Sequence, residues 1–447
     1  MPEGCERMSR IFISLICCIF GSLGWAAEIP PRLNLGQGTR RSLTSADFET
    51  ERTDGCFDRT LGFARDYLRR MRPEYSFDAV SNKAGYAAWR GKVRAKLGEL
   101  LQIPSELPRP EFRQVALDKR DGYRIERYEF MPEPRLVVPI LLLVPEEVVR
   151  TGRRVPAVIC LPGSGASLSS LAGEPDRYAC RYPIRNKQAW YYVQAGMVAV
   201  AMENPGTAEN GVPGVNHYVV QDQVAGLMAL SGRSMWGFMT EHVLETVGFL
   251  KEHRLVSPDR IAVSGMSLGC IAALYSAVLS DDISAVVYND YATSWAAFAI
   301  AVTERPKPHV DVRRPFGFHR WFDDQPDLMA ALAPRPLLLA EGGAWKGVIE
   351  KVSRAYTLVG AAANLRVAYY DKYADAGSRR FEGEDVSRMS GLTDEEYLLR
   401  SNVDARQHSF HPERNVPWLC ERFFGTFECS DALRWEIERA KKEEPAW

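Results

Sequence analysis

One short stretch of this chain holds residues suited to nucleophilic chemistry: Gly265-Met266-Ser267-Leu268-Gly269. A serine flanked by glycines at this spacing fits a nucleophile elbow. There a sharp strand-to-helix turn forces the serine into strained backbone geometry, and the glycines keep neighbouring side chains out of the way. The pattern alone is weak, because a chain this long should contain one by chance about one time in seven at average composition. Its surroundings raise its weight. A β-branched run at residues 260–264 precedes it, and an Ala-rich helical stretch at 268–279 follows. The serine hydroxyl would then project at a helix N-terminus, where the dipole favours a developing oxyanion. A near match, Gly232-Arg233-Ser234-Met235-Trp236, lacks both the second glycine and the preceding strand.

A serine hydroxyl is a poor nucleophile until a base takes its proton. In this type of site the base is a histidine that follows the acid in chain order. Of the seven histidines, His408 and His411 lie late, in a loop before an apolar helix at 416–424. His411 adjoins Pro412 and suits the start of that helix. His217 falls in a Gly/Pro-rich loop and could line a pocket. His242, His253, His309 and His319 read as surface or packing residues.

The elements that would carry these residues follow from hydrophobic patterning. Residues 45–105 read as helical, with apolar positions at three- and four-residue steps over 57–71 and 88–101. Two extended segments, 123–130 and 137–144, suit antiparallel strands. From about residue 155 apolar strands at 155–161, 197–202, 260–264, 283–288, 335–340 and 365–370 alternate with helical stretches, among them 238–252. Such alternation predicts an α/β fold, with a mainly parallel sheet covered by helices on both faces. The predicted organisation is a signal at 1–27, an N-terminal helical extension at 28–119, a catalytic domain at 120–430 and a charged C-terminal helix or tail at 431–447.

Three segments together resemble the dienelactone hydrolase and acetyl-xylan esterase branch of the α/β-hydrolases. Pro258-Asp259-Arg260-Ile261 leads into the elbow. Leu161-Pro162-Gly163-Ser164-Gly165 follows a strand as that family's oxyanion loop does. Asp327-Leu328-Met329-Ala330-Ala331-Leu332-Ala333-Pro334-Arg335-Pro336-Leu337-Leu338 resembles the lead into its late strand. The resemblance covers about residues 120–425 and implies an α/β-hydrolase fold, a Ser-His-acid triad and no metal or other cofactor. It also places the histidine in the loop that here contains His408 and His411; His408 is preferred, since His411 suits the start of the helix. The family's acid is usually an Asp soon after the late strand, but Trp345 stands at that place. Two strand-end carboxylates remain. Asp290, in Tyr288-Asn289-Asp290-Tyr291, is preferred, and Glu341 is the alternative. Asp404 suits shaping its own loop. The oxyanion donors are expected to be Leu268 N–H and an N–H of Ser164 or Gly165.

The activity this predicts is a serine carboxylesterase acting on a small-molecule or saccharide ester, with deacetylation of a carbohydrate as the specific form. Trp190, Tyr191, Tyr192, Trp236 and Trp295 could stack on a sugar. Two other readings stay open: a peptidase of the prolyl-oligopeptidase type, for whose propeller domain the chain lacks room, and an inactive hydrolase fold that binds a partner.

Bulk properties agree with a globular enzyme. The 447 residues are 46% hydrophobic and 25% charged, with a formal net charge of −1. That balance offers no basic excess for a nucleic-acid partner. At the N-terminus Arg7 and Arg10 precede an apolar run at 11–25, followed by Ala26 and Ala27. This is the layout of a secretory signal, too short for a comfortable membrane span, and it predicts a secreted or periplasmic product. No later segment approaches a membrane span. Cys56, Cys160, Cys180, Cys270, Cys420 and Cys429 would remain after cleavage, and Cys160 and Cys270 sit in apolar contexts that suit buried thiols. Cys/His spacing suggests no zinc site.

Overall fold

In the computed structural model, nine strands form one sheet in the order β1-β2-β3-β5-β4-β6-β7-β8-β9. The strands are β1 Arg113–Arg120, β2 Tyr123–Glu133, β3 Leu136–Pro145, β4 Val155–Leu161, β5 Val198–Met202, β6 Val256–Met266, β7 Ile283–Asn289, β8 Leu337–Leu339 and β9 Leu365–Val367. The structure describes residues 60–104, 109–175, 184–302 and 313–443. The predicted signal, Cys56, Cys180 and His309 lie outside them. Contacts divide the chain into two units, Met1–Asp66 and Tyr67–Trp447. The sheet belongs to the second, and the α/β-hydrolase fold is the one predicted.

The first strands pair antiparallel, from β1 through β2 and β3 to β5. From β5 onward every neighbouring pair is parallel. Parallel strands are apolar on both sides because helices cover both faces, and every residue of β4 is buried. Period-two alternation then divides the side chains between two cores. Ile159, Val200, Val263 and Leu339 pack on one face with helices Lys83–Leu101, Met235–Glu252 and Gly269–Leu279. Val158, Cys160, Ala199, Val287 and Leu338 pack on the other with Gln188–Gln194, Pro412–Phe424 and Asp431–Lys441. Each fully buried Val, Leu or Ile contributes about 1.5–3 kcal/mol, so these two layers dominate the stability of the fold.

The late helix of the predicted extension joins the first core. Helix Lys83–Leu101 is capped by Asn82, whose side chain accepts from Gly85 N, and it buries Tyr86, Trp89, Val93, Leu97 and Leu101. Tyr86 OH donates to Ala330 O at 2.9 Å and Ala333 O at 2.6 Å, and Phe77 N–H donates to Asp327 Oδ1 at 2.9 Å. Strand β1 and one helix are among the elements that the sequence pattern did not predict. Strand β1 begins the sheet before residue 120, and its nearly continuous exposure explains why no buried face marked it in the sequence. Residues His217–Leu230 form a helix, with Asn216 as its N-cap. Its apolar residues are spread around the helix: Val220 and Ala225 are buried while Val219, Leu227 and Leu230 are exposed, so no single stripe announced it. Among the described residues no helix is long and apolar enough to cross a membrane.

Candidate active site

Because β4, β6, β7 and β8 run parallel, their C-terminal ends meet at one edge of the sheet, where open α/β sheets place their ligands. Leu161 lies opposite Gly265, Met266 opposite Asn289, and Tyr288 opposite Leu339. Register alone therefore brings the Gly163 loop, Ser267, Asp290 and Glu341 to the same level of that edge.

Ser267 has φ 50°, in the left-handed region. A non-glycine residue pays of order 1–3 kcal/mol there and persists only where its surroundings fix it. Here Ser267 N–H donates to Asn289 O at 3.1 Å, and Ser267 O accepts from Cys270 N–H at 2.9 Å. The flanking glycines are there because the chain is too close for anything larger. A Cβ on Gly265 would lie 2.6 Å from Cys270 Cα, and one on Gly269 would collide with the carbonyls of Leu161 and Pro162. Gly269→Ala should therefore lower stability by at least about 2 kcal/mol, read as a lower denaturant midpoint. An unchanged midpoint would contradict this close packing of the turn.

The loop after β4 is held through its carbonyl oxygens. Asn204 Nδ2 donates to Pro162 O and Gly163 O, both at 3.0 Å. Thr207 Oγ1 and Gln221 Nε2 each donate to Ser164 O at 3.2 Å. In a trans peptide the next N–H points opposite the carbonyl, so these bonds turn the Ser164 and Gly165 N–H groups away from Asn204, Thr207 and Gln221. The loop also lies against the elbow, since a Cβ on Gly163 would stand 3.6 Å from Ser267 Cβ. Leu268, the third expected donor, is the N-cap of helix Gly269–Leu279. His217 packs on Gly165, and Tyr218 OH lies 3.1 Å from Ser164 Oγ. Nothing local in the sequence singles out Asn204, Thr207 or Gln221 for this role.

His408 Nδ1 lies 2.9 Å from Glu341 Oε2 and 3.7 Å from Asp290 Oδ1. The structure thus brings Glu341, and not the preferred Asp290, within hydrogen-bond reach of His408. The reason is visible in their partners. Asp290 Oδ1 accepts from the adjacent Tyr291 N–H at 2.7 Å. Glu341, one methylene longer and fully buried, accepts from Asn289 Nδ2 at 2.7 Å on Oε1 and from Tyr370 OH on Oε2. In the sequence Tyr370 is only the end of an extended run. His411 is the N-cap of Pro412–Phe424, its Nδ1 3.0 Å from Glu413 Oε1. Trp345 is likewise an N-cap, of helix Lys346–Leu358.

The electrostatics separate the two carboxylates. Burial disfavours the Glu341 anion, but His408 and His411 nearby, with hydrogen bonds from His408 and Tyr370, outweigh it and hold the group below its ordinary value. Burial raises Asp290 to about 7, against the opposing pull of His408. For His408 burial favours the neutral ring, yet the two carboxylates prevail and raise it to about 9. Asp290, Glu341 and His408 also present one ligand atom each within 4.8 Å of one another, a trio that could hold a metal ion.

The aromatic residues divide. Tyr191, Tyr192 and Trp236 are core residues rather than a sugar platform. Trp295 is half-buried and packs on Tyr291, whose ring lies 6.0 Å from that of His408. Trp190, also half-buried, carries Lys187 Nζ 4.1 Å above its ring. Cys160, Cys270 and Cys420 are buried free thiols.

Residues 42–421 match the model of the Abhydrolase family. A solved structure from Bacteroides fragilis NCTC 9343, provisionally described as an acetyl xylan esterase, is 31% identical, covers 83% of this chain and 97% of that one, and superposes with a TM-score of 0.73. A glucuronoyl esterase from Solibacter usitatus is 14% identical over 72% of this chain and 93% of its own, with a TM-score of 0.47. YtaP of Bacillus subtilis (strain 168), provisionally described as a hydrolase, is 38% identical over 60 residues, 13% of this chain; the chain spans about a fifth (20%) of that relative's length.

Proposed function

This chain belongs to the Abhydrolase family of α/β-hydrolases, in its esterase-like branch, and from that premise we propose that it hydrolyses carboxylic esters with Ser267 as nucleophile, His408 as base and Glu341 as acid. The observation that carries the reading is the 2.9 Å contact between His408 Nδ1 and the buried Glu341, at the sheet edge where the strained Ser267 turn stands. Ser267 Oγ attacks the acyl carbon while His408 Nε2 takes its proton. Leu268 N–H, with Ser164 or Gly165 N–H, receives the developing oxyanion. The imidazolium returns the proton to the leaving alcohol, and water, deprotonated by the same ring, releases the acid from the acyl-enzyme. Glu341 holds Nδ1–H in place so that Nε2 faces the serine.

The substrate in this reading is an acetylated carbohydrate, following the Bacteroides fragilis neighbour. Export from the cytoplasm belongs to the same reading and rests on the layout of residues 1–27. Turnover of p-nitrophenyl acetate and acetylated xylo-oligosaccharides, without cleavage of a proline amide, is expected. Cleavage of the amide alone would replace the esterase with a peptidase.

Two further outcomes follow. Asp290 adds negative charge beside His408 and so raises its proton affinity. Asp290→Asn should move the acidic limb of the kcat/KM profile to lower pH, because the neutral base then persists further into acid. A limb that stays in place or moves upward would contradict the electrostatic role. A serine mechanism also needs no metal-activated water, so EDTA should leave the rate unchanged. A metal-reversible loss would reassign the Asp290, Glu341 and His408 trio as ligands.

A further inference from the structure

The side chain of Asn289, the last residue of β7, is fully buried and touches both the acid and the histidine loop. Its Nδ2 donates to Glu341 Oε1 at 2.7 Å and to Ser409 O, the residue after His408, at 2.8 Å. Its Oδ1 accepts from His411 N–H at 2.8 Å and from Asn415 Nδ2 at 2.5 Å. Its backbone oxygen accepts from Ser267 N–H at 3.1 Å. An amide has two donor hydrogens and two acceptor sites, and all four are used. The partners also fix which way the amide faces. Ser409 O can only accept and His411 N–H can only donate, so turning the group over would break both bonds.

This wiring exceeds what packing requires. A buried strand end needs its polar groups satisfied, but here one side chain is shared among separate elements. These are the end of β8 through Glu341, the loop carrying His408, and the start of helix Pro412–Phe424 through His411 and Asn415. Its main chain meets the elbow as well. A shift in any one of them would lengthen a bond to Asn289.

We propose that Asn289 is a positioning residue that holds Glu341, the His408 loop and the Ser267 turn in one frame. This rests on the Ser267–His408–Glu341 reading. Asn289 does not touch substrate. It donates to one oxygen of Glu341 while the other faces His408, so it sets the orientation of the acid. The Asn-Asp pair at the end of β7 then splits two tasks: Asn289 organises, and Asp290 adds charge beside the imidazole.

Asn289→Asp tests this, because it keeps the shape but sets a second buried carboxyl against Glu341 Oε1, where the two must share a proton, and removes the donor to Ser409 O. Its kcat should fall about 10- to 100-fold, the scale for outer partners that orient functional side chains, with KM nearly unchanged. The acidic limb should move to lower pH, since a proton shared with Glu341 draws negative charge away from His408 and lowers the imidazole's proton affinity. In a Glu341→Gln background the same substitution should cost no more than about threefold, because coupled residues are not additive. Asn289→Ser, smaller but still able to donate once, should lie between parent and Asn289→Asp. Equal losses in both Glu341 backgrounds, an unmoved acidic limb, or loss of folding in both variants would each assign Asn289 to stability alone and overturn the proposal. Ser267→Ala separates this from failure of the parent reading. If that variant stays active, the triad is wrong; if it is inactive and Asn289→Asp behaves like the parent, only the inference about Asn289 fails.

Discussion

Glu341→Gln should lower kcat by about 10⁴-fold, the scale for a triad acid exchanged for its amide. The change keeps the size and shape of the side chain but removes the anion that holds His408 Nδ1–H, 2.9 Å away. An amide in that place can turn its NH2 toward Nδ1 and stabilise the tautomer with the proton on Nε2, which cannot accept from serine. It also leaves the imidazolium without its nearest counter-charge. Asp290→Asn should retain most of its activity at the plateau, because Asp290 stands 3.7 Å from the ring and already accepts from Tyr291 N–H. Steady-state kinetics of both variants over a range of pH give the comparison. Collapse of the Asp290 variant with an active Glu341 variant would make Asp290 the acid.

Ser267→Ala should abolish ester hydrolysis, with a loss on the order of 10³-fold or more, since triad members act as a unit. The fold should survive. Alanine removes one oxygen, and the left-handed turn is held through the backbone bonds to Asn289 O and from Cys270 N–H, which alanine keeps. Activity within tenfold of the parent, measured on protein with an unchanged circular-dichroism spectrum, would remove Ser267 from its role.

The sequence displays what is locally encoded. Gly265 and Gly269 stand where the turn leaves no room for a side chain, and the β-branched run before them belongs to β6. The alternation of strands and helices is likewise a local pattern, so the parallel half of the sheet could be predicted. The choice of acid is not local. Asp290 and Glu341 reach the sheet edge at one level, and each follows an apolar strand, so neighbouring residues do not rank them. Tyr370 and Asn289, distant in sequence from Glu341, make it the buried partner of His408. The hold on the Gly163 loop is equally non-local, because Asn204, Thr207 and Gln221 reach it from later elements. Strand β1 is illegible in the sequence for the opposite reason: its side chains are exposed, and no buried face marks them.

The proposed mechanism stands on Ser267 being an activated nucleophile. A fluorophosphonate probe, which phosphonylates a serine only when a neighbouring base takes its proton, tests it without knowledge of the natural substrate. Peptide mass spectrometry of the treated protein should find the adduct on Ser267, with labelling lost in His408→Ala and strongly slowed in Glu341→Gln. An unlabelled Ser267 in folded parent protein, or equal labelling in parent and His408→Ala, would contradict the account.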